Sequence, residues 1–161
     1  MKVLTRLLSV AACVVAGFAG AAEYQLNSGV TDWTQASSYV PAQVPGAGDT
    51  VILPANETFE VDAASGSFAT LSAFKRIVPS AGSKLVITVS EGEKTLGCAF
   101  NADGESSKGA AIGELVKKGA GLLQLGSVRQ VKAANGYAFD YCTTTVLAEG
   151  SLRTTTDAEA V

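Results

Sequence analysis

Histidine is missing from all 161 residues of this chain, and its absence removes a wide band of chemistry. No Ser–His–Asp or Cys–His relay can be assembled, and no histidine-ligated metal site. The glycine-rich fingerprints of nucleotide binding and the Gly-x-Ser-x-Gly of hydrolases do not occur either. Charge is sparse: 17% of residues are charged against 47% hydrophobic, a balance that argues against disorder over most of the length. Past residue 22, no window carries the spacing of three and four between apolar residues that marks an amphipathic helix. The sequence from Asn101 to Glu105 (Asn-Ala-Asp-Gly-Glu) has the look of a calcium loop. An EF-hand would need a ligand at Ala99 and a glutamate at Ala110, so a polar turn is expected instead. No catalytic residue, cofactor or metal ligand set is expected.

What is present begins with an address. Lys2 and Arg6 form a short positive region, Leu7 to Gly20 carries no charge, and Ala19-Gly20-Ala21 supplies the small-x-small pattern of a cleavage site. Residues 1–22 therefore read as a signal peptide, with the cut after Ala21 or Ala22, and the uncharged run is too short to span a bilayer. Val10-Ala11-Ala12-Cys13 imitates a lipobox, but seven uncharged residues follow Cys13, so lipidation is the minor reading. Export to the cell surface or the medium is the expectation. Losing Lys2 and Arg6 leaves ten basic residues against fifteen acidic, a net charge of −5. The remaining Lys75-Arg76 and Lys117-Lys118 are isolated pairs expected on solvated surface, and nothing offers the basic patch that nucleic acid requires.

In an oxidising compartment Cys98 and Cys142 become a possible disulfide. Such a bridge would close a loop of about 45 residues and contribute ~4 kcal/mol by chain entropy. Two buried free thiols are the equal alternative.

The rest reads as all-β. Residues 23–48, with Pro41, Pro45 and the single tryptophan Trp33, are irregular and are expected to form an N-terminal cap. From residue 49 short strands follow: Thr50–Leu53, Thr58–Val61, Leu85–Val89 and Leu96–Phe100, with Phe68–Val78 either a strand pair or a helical turn. Gly48, Gly82, Gly121 and Gly150 each precede a strand, at intervals of 34, 39 and 29 residues. This irregular echo fits solenoid coils carrying variable loops, and it also fits a β-sandwich.

Residues 113–154 narrow the choice. Leu115, Lys117, Gly119, Gly121, Leu123 and Leu125, then Thr144, Thr145, Val146, Gly150 and Leu152, form a glycine–leucine–threonine pattern. It resembles the autotransporter-associated β-strand repeat of bacterial surface proteins. It departs from that pattern in spacing Val146 from Gly150 by three residues rather than two. A longer segment, Ser127 to Tyr141, also replaces the usual short hairpin. The resemblance implies a right-handed, single-stranded parallel β-helix over residues 49–161, with further coils of the same polypeptide expected beyond Val161.

Three functions are then open. The leading one is a non-catalytic structural or adhesive segment that presents an extended face to surface glycans or partner proteins. A second is a β-helix lyase or glycosidase drawing acids from Glu57, Glu60, Asp62, Glu91 or Glu93. The third is a small carbohydrate-binding sandwich that stacks sugars on Trp33, Tyr39 or Tyr137.

Overall fold

A computed structural model describes residues 21–100, 113–128, 130–133, 136–139 and 143–156. The chain enters through β1 (Glu23–Leu26), a 3-10 turn at Ala36–Ser38, and β2 (Tyr39–Val40). A first coil follows, made of β3 (Thr50–Ile52), β4 (Thr58–Asp62) and the helix α1 (Gly66–Ser72). The second holds β5 (Arg76–Val78), β6 (Ser83–Thr88) and β7 (Glu93–Leu96). The third holds β8 (Ala99–Phe100), β9 (Gly113–Lys118) and β10 (Leu122–Val128). An antiparallel hairpin of β11 (Gln130–Ala133) and β12 (Gly136–Phe139) leads to the last strands, β13 (Thr143–Leu147) and β14 (Ser151–Thr156).

Corresponding strands stack into three sheets whose ladders are parallel apart from β2, giving a β-solenoid of about three turns. This is the expected β-helix, and the sandwich alternative is not adopted. One wall runs β2-β1-β3-β5-β8, a second β4-β6-β9-β13, and a third β7-β10-β14. In the second wall Thr58 pairs with Lys84, Lys84 with Glu114 and Glu114 with Thr144, steps of 26, 30 and 30 residues. One strand of this length cannot cover its own apolar face, so each coil is stable only against its neighbours.

Alternation sets the inward columns. Tyr24, Val51, Ile77 and Phe100 stack along the first wall, and all are buried. Phe59, Leu85 and Leu115 stack along the second, as do Val61, Ile87 and Lys117. Leu96 and Leu125 continue the core along the third.

The first coil differs from the others at one corner. Ser65 caps a helix there, its Oγ accepting the Phe68 amide at 3.2 Å. The seven-residue helix α1 takes the place that β7 holds one coil later. Ser72 Oγ then donates to Thr95 O at 3.2 Å and accepts from Gly97 N at 2.7 Å, so the helix end shields the edge of β7. Gly97 has to be glycine, because a Cβ there would strike the Ser72 carbonyl. That contact also breaks the stretch expected as one strand, Leu96–Phe100, and sends β7 and β8 to different walls.

The opposite end of the first coil is closed. Strand β2 pairs antiparallel with the outer edge of β1, leaving the parallel ladder no free start. Trp33, fully buried, lies over Phe59 with ring centroids 6.0 Å apart and edge-on, and over Phe74 at 6.5 Å. Its backbone is tied on both sides. Trp33 N donates to Ser67 Oγ at 3.0 Å, and Trp33 O accepts from Tyr39 Oη at 2.6 Å. Tyr39 in turn packs edge-on against Phe74 and Tyr24. The aromatic cap expected from the sequence is thus a five-ring cluster of Tyr24, Trp33, Tyr39, Phe59 and Phe74.

Two buried acids give this core an alkaline limit. Burial pushes the Cys98 thiol up from 9.0 to about 12. Burial also raises the Tyr39 phenol, and the charge of Asp32 adds to that effect. Both are held neutral in the fold, so the unfolded chain loses their protons first as pH rises. Stability is therefore expected to be intact below about pH 9 and then to fall by ~1.4 kcal/mol per pH unit as Cys98 begins to titrate. Urea midpoints at about pH 7 and about pH 10.5 check this, and Cys98→Ala should flatten the first part of the decline.

Candidate functional site

Three places on the solenoid gather charged groups: the corner at Lys117, a groove beside β7, and the outer face of the second wall. Lys117 corrects the sequence reading, which set it with Lys118 on solvated surface. Along β9 it falls in the inward column with Val61 and Ile87, and its side chain is fully buried. The ammonium does not stay among apolar neighbours. It turns to the strand end and donates to three carbonyls, Lys118 O at 2.8 Å, Gly119 O at 2.5 Å and Glu149 O at 3.1 Å. Burial draws its pKa below the ordinary lysine value, and the Glu149 carboxylate opposes that shift. Glu149 closes the arrangement, since its Oε2 accepts the Gly119 amide at 3.0 Å.

The glycines of this corner follow from the same geometry. Gly119 has φ +80 and Gly150 φ +72, both in the left-handed region. A Cβ on Gly150 would run into the carbonyls of Gly119 and Gly121, so one coil's glycine seats directly on the corner below. Leu115, Leu123 and Leu125 fill the core between these corners. Lys117, Gly119, Gly150, Leu115, Leu123 and Leu125 are therefore accounted for by stacking one coil on the next. This corner is a structural joint.

The groove lies between α1 and β7. Two adjoining hollows share Ala63, Ala64, Glu93 and Lys94, and the larger holds about 590 Å³. Of the five acids considered from sequence, Asp62, Glu91 and Glu93 line it. The other two are elsewhere: Glu57 accepts the Gly29 amide at 3.0 Å within the cap, and Glu60 faces Lys118 at 3.6 Å on the second wall. Within the groove, Asp62 Oδ1 accepts the Ala64 amide at 2.8 Å, and Glu93 is paired with Arg153. Phe68, its aromatic, is buried. Among the described residues no group of three or more Cys, Asp and Glu is placed to hold a metal.

The outer face of the second wall is ordered in rows. Val86, Val116 and Val146 lie in register across three coils, with Glu60 at the start of the row. Val86 points outward yet is only 5% exposed. Long side chains flank it, with Lys84 bridging to Glu114 at 2.5 Å and Lys118 to Glu60 at 3.6 Å. A valine row hemmed by ion pairs gives a lattice of small apolar and charged sites repeated at the strand spacing.

The aromatic residues proposed to stack sugars divide differently. Trp33 and Tyr39 are buried in the cap and present no platform. Tyr137 belongs to β12, whose side chains lie outside the described set. Cys98 is a buried free thiol, and Cys142 lies outside the described residues, as do residues 1–20 and Asn101–Glu105. No helix among the described residues is long and apolar enough to cross a membrane. No protein-family model matches the chain, and no curated protein or solved structure is found to match it, so its function has to be read from these surfaces.

Proposed function

We propose that this chain is a non-catalytic scaffold, the capped start of a solenoid on an exported bacterial surface protein of the autotransporter-associated repeat type. The difference between its two ends carries the reading. At the start, β2 and the aromatic cap cover the first coil. At the far end β13 and β14 each pair on one side only among the described residues, and Leu147 continues the inward column of Val61, Ile87 and Lys117 while 49% exposed. A core column that ends in an exposed leucine suits a further parallel coil. The extended outer face, with its valine row and ion pairs, supplies the surface for glycans or partner proteins.

A panel of bacterial and plant polysaccharides, followed for chain cleavage, tests the non-catalytic part. No turnover is expected with the purified chain. Cleavage that disappears in the triple variant Asp62→Asn, Glu91→Gln, Glu93→Gln would move the function to the groove and sink the scaffold reading.

A further inference from the structure

We propose that the leader is cut between Ala21 and Ala22, and that Asp49 is the receptor for the ammonium this cut creates. The proposal rests on the export reading above and adds to it the position of the cut and the group that binds its product. From sequence, cuts after Ala21 and after Ala22 are equally acceptable, because both place small residues at the two positions a signal peptidase reads. The fold separates them. Ala22 is half-buried against the core, whereas Ala21 is exposed. Ala22 O accepts the Thr50 amide at 2.9 Å and so forms the first rung joining the entry strand to β3. Ala22 N donates to Asp49 Oδ1 at 2.9 Å.

Asp49 is held in place to receive it. Its second oxygen accepts the Gly46 amide at 2.7 Å, its own amide donates to Gly46 O at 3.1 Å, and its carbonyl accepts Lys75 N at 3.0 Å. A cut after Ala22 would delete the Thr50 acceptor and strip Asp49 Oδ1 of its partner. Hydrolysis of the Ala21–Ala22 amide by a signal peptidase breaks the C–N bond, with the water oxygen going to the Ala21 carboxylate and both water protons to the Ala22 nitrogen. That nitrogen becomes an ammonium facing a carboxylate, and a neutral hydrogen bond becomes a charge-assisted one.

Intact-mass analysis of the full chain expressed in a bacterial host and recovered from outside the cytoplasm tests the position. A mature chain beginning at Ala22 is expected. One beginning at Glu23 overturns the inference and leaves the export reading standing. A chain that keeps its leader, or is lipidated at Cys13, overturns both. The receptor role is read on the mature protein by acetylating its α-amino group. Acetylation should lower the urea midpoint of the wild type and leave that of Asp49→Asn unshifted. An unchanged wild-type midpoint refutes the pairing.

Discussion

Replacing Trp33 with alanine is expected to remove about 4 kcal/mol of folding stability, a large share of the roughly 5–15 kcal/mol that holds a domain folded. The side chain is fully buried and touches the first coil through Phe59 and Phe74. Its loss leaves a cavity under the cap and forfeits ring contacts worth about 1 kcal/mol each. One observation limits the benefit of the native residue. The indole Nε1 is buried with no hydrogen-bond partner among the described residues, a desolvation penalty of about 1–3 kcal/mol. Trp33→Phe removes that donor along with part of the volume, so its cost should stay near ~1 kcal/mol. Urea denaturation of both variants decides the matter. Equal losses for alanine and phenylalanine would mean that the ring does not close the solenoid. With the cap loosened, β2 should also leave β1, and the exposed edge should make Trp33→Ala prone to aggregation.

Lys117→Met is the second large effect, at about 2 kcal/mol. Methionine keeps the length and the apolar stem but brings no donor. Three carbonyls, those of Lys118, Gly119 and Glu149, then lose their ammonium at a partly buried corner. Lys118 O keeps the Val89 amide at 2.9 Å, and the loss at Gly119 O and Glu149 O costs on the order of 1 kcal/mol each. The damage should be directional. Glu149 belongs to the chain between β13 and β14, so amide hydrogen exchange should quicken there before it quickens in β4 or β6. A variant as stable as the wild type within about 0.5 kcal/mol would show that water serves those carbonyls as well as the lysine does.

The same lysine shows where sequence reading stops. The pair Lys117-Lys118 is indistinguishable from a solvated pair in a list of charges, yet strand alternation from Leu115 already places Lys117 inward. The competing rule, that lysine stays in water unless paired, took precedence in the sequence reading. What it could not show is that the carbonyls of Lys118 and Gly119 converge with one arriving from the next coil, Glu149 O, 32 residues later. The strands themselves were legible because Leu85–Val89 and Thr58–Val61 alternate by two. Helix α1 was legible only as one of two readings of Phe68–Val78, strand pair or helical turn, because seven residues give too little periodicity and its Ser65 cap looks like any turn serine. The segment is helix to Ser72 and strand from Arg76.

The glycine echo was legible but ambiguous. Gly48, Gly82 and Gly121 precede strands of three different walls, so intervals of 34 and 39 mix walls. Only Gly121 to Gly150 stays within one, and its interval of 29 is the register step of that wall. The acids were legible as residues and not as a constellation. Asp62 meets Glu91 and Glu93 because β4 ends at the corner where the loop into β7 passes, a fact of coil geometry rather than of spacing.

The register steps have a kinetic meaning. Glu23 pairs with Thr50, Thr50 with Arg76 and Arg76 with Ala99, and across all three walls each parallel rung needs only 23 to 30 further residues of chain. Most β folds wait for distant partners and fold slowly for that reason. Here contact order is nearly constant along the molecule, and each finished coil is the template for the next. A chain emerging N-terminus first can complete its cap and first coil before the Lys117 corner exists, and a lesion at any coil unzips only what was laid down after it.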